Sequence, residues 1–198
     1  MSERDRTPEQ AAAHELNDAI TKGAIEDVKA LIDAGADVNA ENYYKIRPLF
    51  FAIQAGKEDV VRLLLAWGAD ANKAVHGDGR KPLYFAAGAG NEEMVAELIA
   101  ADAVIDAVDQ YGGTALGACA SSLSALRLNL PNYETWRVEQ DRAPTGLVAV
   151  AQMLILHGAD VNIAAKRAYT PADFIRRARI PRLDALLDGR QKKKGWFS

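Results

Sequence analysis

Leu31-Ile32-Asp33-Ala34-Gly35-Ala36-Asp37-Val38-Asn39-Ala40 is the stretch that decides the fold, because it returns along the chain. It reappears as Leu64-Leu65-Ala66-Trp67-Gly68-Ala69-Asp70-Ala71-Asn72 and again as Leu154-Ile155-Leu156-His157-Gly158-Ala159-Asp160-Val161-Asn162. A degenerate copy, Leu98-Ile99-Ala100-Ala101-Asp102-Ala103-Val104-Ile105-Asp106-Ala107, lies between them. Gly35 to Gly68 is 33 residues, Gly68 to Asp102 is 34, and Asp102 to Gly158 is 56, or 33 plus 23. Self-similarity at such a period marks a stack of small supersecondary units.

A second marker keeps the same register: Arg47-Pro48-Leu49-Phe50-Phe51-Ala52, Lys81-Pro82-Leu83-Tyr84-Phe85-Ala86, Thr114-Ala115-Leu116-Gly117-Ala118-Cys119 and Thr170-Pro171-Ala172-Asp173-Phe174. Proline suits the first turn of a helix, where its missing N–H costs nothing and its φ is already helical. About ten residues on, Gly23, Gly56 and Gly90 mark a tight link to a second helix. That helix carries Val28, Leu31 and Ile32, or Val61, Leu64 and Leu65, at helical spacing. The Gly of Gly-Ala-Asp ends it in the left-handed conformation that glycine adopts cheaply. The Asp and Asn that follow bond local backbone and hold a turn. Each unit therefore reads as helix, turn, helix, extended loop, and no proline-leucine signature precedes Leu16.

Composition agrees with a stack of thin layers. Of 198 residues, 49% are hydrophobic and 26% charged, the balance of a globular chain and not of a disordered one. Alanine occurs 37 times, spread throughout, and small side chains let helices approach closely. The single cysteine, Cys119, has no internal partner, and residues 1–10 lack the pattern of a secretory signal. No apolar run approaches the roughly 18 residues of a membrane span, so a soluble, cytoplasmic protein is expected. Charge is uneven: residues 164–198 carry 10 Lys/Arg against 3 Asp/Glu, net +7, and residues 1–163 carry 14 against 24, net −10.

These units resemble ankyrin repeats, whose motif reads Thr-Pro-Leu-His followed by Gly-Ala-Asp-Val-Asn-Ala. The resemblance implies an all-α ankyrin-repeat solenoid at residues 9–189, between a polar tail at 1–8 and a basic-aromatic tail at 190–198. Its units fall near 9–41, 42–75, 76–108, 109–164 and 165–189, with a 23-residue insertion at 123–145 in the fourth. Terminal units of such stacks are atypical because their outer face meets water. The motif histidine is replaced here by Phe50, Tyr84, Gly117 and Asp173. Its hydrogen-bond ladder must then give way to packing, and modest local stability is expected around Gly117.

Ankyrin-like stacks bind other proteins along a concave surface of loop tips and first helices. The resemblance places Tyr43, Tyr44, Ile46, Gln54 and Trp67 on that surface in the second unit, and Asp78 and Arg80 in the third. Gln110, Tyr111 and His157 follow in the fourth, and Lys166, Arg167, Tyr169 and Arg177 in the fifth. Tyr, Trp and Arg carry much of the binding energy at protein interfaces. For Tyr43, Tyr44 and Tyr111 the other reading is that they pack tip against tip.

Within the insertion, Leu123, Leu126 and Leu130 keep a helical spacing, so the first helix is expected to run to about Asn129, before Pro131. Tyr133 and Trp136 either anchor a wall added to the groove or fold back over the neighbouring unit. Lys192, Lys193, Lys194 and Trp196 are candidates for an anionic surface, with a solvated tail or a hydrophobic cap as alternatives.

Catalytic arrangements do not assemble. His14, His76 and His157 fall in different units, and Cys119 occupies a core position of the motif. His157 closes a helix, where a cation is favoured. His76-Gly77-Asp78-Gly79 lacks the Lys-Ser/Thr and the strand of a phosphate loop. The reading is thus of a non-enzymatic, monomeric binding protein needing no cofactor or metal, which grips and inhibits or shields one protein partner bearing a basic patch. Alternatives are a toxin-neutralising immunity protein and a recruitment adaptor whose basic tail contacts membrane or nucleic acid, although nucleic acid is not the expected partner of the main reading.

Overall fold

A computed structural model describes residues 7–42, 44–75, 77–128, 145–165 and 169–194. The described residues form ten helices: α1 (Pro8–Lys22), α2 (Ile25–Asp33), α3 (Pro48–Gln54), α4 (Glu58–Ala66), α5 (Pro82–Ala89), α6 (Glu92–Ala100), α7 (Ala115–Leu128), α8 (Thr145–Leu156), α9 (Pro171–Ala178) and α10 (Pro181–Lys194). They pair as five helix-turn-helix units, and no strand occurs among them. A proline stands in the first turn of α1, α3, α5 and α9.

The first of these has no leucine after its proline. Thr7 caps α1 by accepting from the Gln10 N–H at 3.2 Å, while Gln10 Oε1 accepts from the Thr7 N–H at 3.3 Å. This reciprocal box starts the helix at Pro8, so the first unit does open on Thr-Pro, without the leucine that follows elsewhere. At the other end, α10 continues through Lys194, and the three lysines lie in its last turn.

One core runs the length of the stack. Each unit adds a similar few apolar side chains: Leu16, Ile20 and Val28; then Leu49, Ala52, Val61 and Leu64; then Leu83, Ala86, Val95 and Leu98; then Leu116, Cys119, Ala151 and Leu154; then Ala172, Ile175, Leu183 and Leu187. Alanine at the middle position of the first helices of the second and third units, Ala52 and Ala86, lets neighbouring helices approach closely. Aromatics take over where the motif histidine is missing, with Phe50 meeting Phe85 edge-on at 4.9 Å between centroids. Such pairs add roughly 0.5–1.5 kcal/mol beyond the area they bury.

The loops after the second helices are laced together. Asp37, Asp70 and Asp160 accept from the N–H of Asn39, Asn72 and Asn162 within their own turns, at 2.8, 2.8 and 3.0 Å. Asn39 also reaches the next unit, donating to Gly68 O at 2.9 Å and accepting from the Asp70 N–H at 2.8 Å. Asn72 repeats both bonds one unit on, to Asp102 O at 2.9 Å and from the Val104 N–H at 2.8 Å. At the third junction Asp106 stands in place of asparagine and only accepts, from the Asp160 N–H at 2.9 and 3.1 Å. The degenerate second-helix end is closed by Asp102 at φ +58°, doing the work of the absent glycine.

α7 has 14 residues against 7 and 8 in α3 and α5, so part of the insertion lengthens this helix, whose last residue is Leu128. Leu123 is buried in the core. Residues 129–144, with Leu130, Tyr133 and Trp136, lie outside the described residues, and α8 resumes at Thr145.

Candidate functional site

The loop tips are built by short local networks that leave tyrosines outside. In the second unit, buried Asn42 accepts from the N–H groups of Tyr44 and Ile46 at 2.9 and 3.0 Å. In the fourth, buried Asp109 accepts from Tyr111 and Gly113 at 2.8 Å each. Tyr44 and Tyr111 hold equivalent places in the two turns and are 65% and 54% exposed. Tyr169, before α9, is 57% exposed. A tyrosine on the surface of a tight, bonded turn loses little freedom on binding and offers both a ring and a hydroxyl.

Other residues marked from the sequence are tied into the stack. Arg80 pairs with Asp78 at 3.3 Å and with Asp109 at 3.3 Å, and its guanidinium lies 5.0 Å over the Tyr84 ring. The Gln110 N–H donates to Asp78 O at 2.9 Å, so Asp78 and Arg80 join the third tip to the fourth. Arg47 does the same one unit earlier, donating to Ala74 O at 2.7 Å and pairing with Glu41. Trp67 caps α4 and packs half-buried against the core, and Ile46 is half-buried. His157, exposed at the end of α8, is held through Nδ1 to Met153 O at 2.8 Å. Tyr43, Lys166, Arg167 and Trp196 lie outside the described residues.

Cys119 is fully buried, its Sγ donating to Leu147 O at 3.1 Å, and burial pushes the thiol up to about 12. A thiol so far above neutral pH supplies no nucleophile. Among the described residues no three His, Cys, Asp or Glu gather as a metal site, and no helix is long and apolar enough to cross a membrane.

A feature the sequence reading missed lies between the third and fifth units. A cleft of about 170 Å³ opens over Gly117 and Ala118, walled by Tyr84 on one side and by Tyr169 and Phe174 on the other. Its signal was present in the register, since glycine at 117 falls where the two preceding units carry Phe50 and Tyr84.

Stacked helix pairs with hydrogen-bonded tips define a helical repeat scaffold. A family model described as "Ankyrin repeats (3 copies)" matches residues 4–75 and 49–129, and the chain belongs to the ankyrin-repeat family. Among curated proteins it is similar to the mouse (Mus musculus) 2-5A-dependent ribonuclease, 45% identical over 56 residues, which is 28% of this chain and 8% of that protein. Human (Homo sapiens) neurogenic locus notch homolog protein 2 is 31% identical over 134 residues, 67% of this chain and 5% of that protein. Human cyclin-dependent kinase inhibitor 2A is 40% identical over 65 residues, 33% of this chain and 41% of that protein. The chain thus matches well under half the length of each of these relatives. Ankyrin repeats are in general protein–protein interaction modules without catalysis of their own.

Proposed function

We propose that this chain holds one protein partner along the side formed by its loop tips and first helices, and that it inhibits or shields the surface it covers. The observation that carries this reading is the recurrence of exposed tyrosine at the tips, at Tyr44 and Tyr111 on hydrogen-bonded turns and at Tyr169 before α9. Tyrosines so placed are preorganised anchors, and preorganisation reduces the ordering cost of association. Net charge of −10 over residues 1–163 favours a partner with a basic patch and speeds its encounter. An inhibitory role is supported by the similarity to a protein named as a kinase inhibitor. A cytoplasmic setting fits the free thiol of Cys119.

The test is affinity capture from lysate of the native organism, at low and high salt, comparing the intact chain with the double variant Tyr44→Ala/Tyr111→Ala. The melting temperature of the variant is measured alongside, so that loss of capture is separated from loss of fold. Loss of one dominant protein at both salts supports the reading. Equal capture by the two chains overturns it, and retention of lipid that leaves at high salt would shift the working part to the lysines of α10.

A further inference from the structure

First helices pack on first helices and second helices on second helices, so the stack has two sides, and α8 lies on the second side between α6 and α10. It differs from its neighbours there. α2, α4 and α6 each carry two acidic residues in the first turn, Glu26 and Asp27, Glu58 and Asp59, Glu92 and Glu93. α8 has none, and its twelve residues hold no charge at all. A helix that is apolar all round is one that is covered all round.

Aligning the second helices on their buried residues Val60, Met94, Val150 and Leu183 shows what α8 turns outward. Arg62 of α4 pairs with Glu97 of α6 at 2.7 Å on the outer face. One helix on, the same two places hold Ala96 and Met153. Ala149, Gln152, Met153 and Leu156 recur at the three- and four-residue spacing by which one helix meets another. Leu156 is 71% exposed, more than any other large hydrophobic among the described residues.

The charges at the margins of this stripe point to what covers it. The outward position just before each aligned residue reads Glu93 on α6, Ala149 on α8 and Arg182 on α10. Glu93 and Arg182 are exposed, and neither side chain has a hydrogen-bond or ion-pair partner among the described residues. The face thus runs minus, neutral, plus across three adjacent helices. A two-fold axis laid along α8 turns this pattern onto its own complement, with the minus of one copy against the plus of the other, twice. Such self-complementarity is what an isologous contact requires. An axis laid across the helices would instead set α6, with Glu93 and Glu97, against its own copy, acid against acid.

We infer that this face binds a second copy of the chain, with α8 alongside α8 about a two-fold axis parallel to it. Met153 and Leu156 meet their counterparts, and Glu93 of each copy pairs with Arg182 of the other. The contact goes beyond the partner-binding reading and does not rest on it. It leaves the tyrosine tips free on the first-helix side, so the dimer offers two such surfaces facing opposite ways and grips a partner with paired sites bivalently.

Sedimentation equilibrium of the full chain from about 1 to about 200 μM tests this. The mass should rise with concentration from 21.4 kDa to twice that value. Leu156→Glu places two like charges at the dyad and should leave a monomer with the circular dichroism of the parent. Glu93→Arg and Arg182→Glu each set two like-charged pairs across the interface, and each should weaken the dimer about tenfold or more. The double variant Glu93→Arg/Arg182→Glu should recover it, a rescue that damage to the fold would not produce. A mass of 21.4 kDa at every concentration overturns the inference. So does a dimer that tolerates Leu156→Glu, or a double variant no better than the single ones. A dimer lost with Tyr44→Ala/Tyr111→Ala and kept with Leu156→Glu places the contact on the tyrosine side and overturns it equally.

Discussion

Gly146 packs against Gly90 so closely that a Cβ on Gly146 would collide with the Gly90 carbonyl oxygen. Gly90 ends α5 and Gly146 stands in the first turn of α8, so this contact fixes how the chain re-enters the stack after the insertion. Backbone atoms have no rotamer by which to move aside. Gly146→Ala should therefore destabilise the protein by about 1–3 kcal/mol, the scale of overpacking a close contact, as read by urea denaturation. Gly88→Ala, in the last turn of α5 and with only Ala118 Cβ at 3.5 Å, should instead gain up to about 0.5 kcal/mol from helix propensity.

Lys45 sits at φ +60° in the second tip, where the fourth tip has Gly112 at +82°. A left-handed lysine costs about 1–2 kcal/mol, and its ion pair with Glu41, 3.7 Å long and exposed on the lysine side, returns little. Lys45→Gly should raise the melting temperature, with a net gain of about 0.5–1 kcal/mol after the greater freedom of glycine in the unfolded chain is counted.

Asp106 breaks the pattern of Asn39 and Asn72 by offering no donor to the next unit. Asp106→Asn restores an Nδ2 donor facing Gly158 O, the equivalent of the Gly68 and Asp102 carbonyls. A gain of about 0.5–1.5 kcal/mol, the net worth of one hydrogen bond, is expected in chemical denaturation. Asn39→Asp should produce the opposite change at the first junction.

Two carboxylates near the carboxy-terminal end titrate in opposite senses. The hydrogen bonds from Thr170 hold the Asp173 carboxyl below its ordinary value, so its contribution is present above about pH 3.8 and is lost as pH falls through the lowered value. Burial, followed by the nearby Asp188, pushes Asp184 up, and its Oδ1 is buried without a partner. Its charge therefore opposes folding once pH rises through the raised value. Asp184→Asn should stabilise the chain at pH 7 and have no effect at about pH 3, where both states of the parent are protonated. Thr170→Ala should destabilise it at pH 7 and progressively less below pH 3.8.

With its thiol pushed up to about 12 and its side chain fully buried, Cys119 should resist alkylation by iodoacetamide at pH 8 in the folded chain. Full modification on adding urea would establish that burial is the cause. Modification in the native state at the rate of a free thiol would show that the α7–α8 contact opens readily.

Much of this architecture was legible because it rests on local chemistry repeated in register. Proline at helix starts, apolar triplets at helical spacing and Asp-x-Asn turns each state their structure within a few residues. The start of α1 is less plainly marked, because Thr7-Pro8 lacks the leucine of the later units and only Gln10, which completes its cap, signals it. Asp78 and Arg80 carried the composition of a binding surface, yet they are occupied with Asp109 and Gln110 of the next tip. That contact exists only once two units are stacked. The same holds for the cleft, which comes from aligning Gly113, Gly117 and Ala118 with residues a full period away.

The junction bridged by Asp106 and Asp160 also sets a timetable. Those two residues are 54 apart in sequence, whereas the Asn39 and Asn72 bridges span 29 to 32. Loop closure grows costlier with length, and folding slows as contacts become less local. In a stack that grows by nearest-neighbour addition, the first three units can zip together early and serve as the template on which the fourth and fifth are laid. The cleft over Gly117, needing both sides of that junction, is then among the last features of the molecule to come into being and the first to be lost when it unravels.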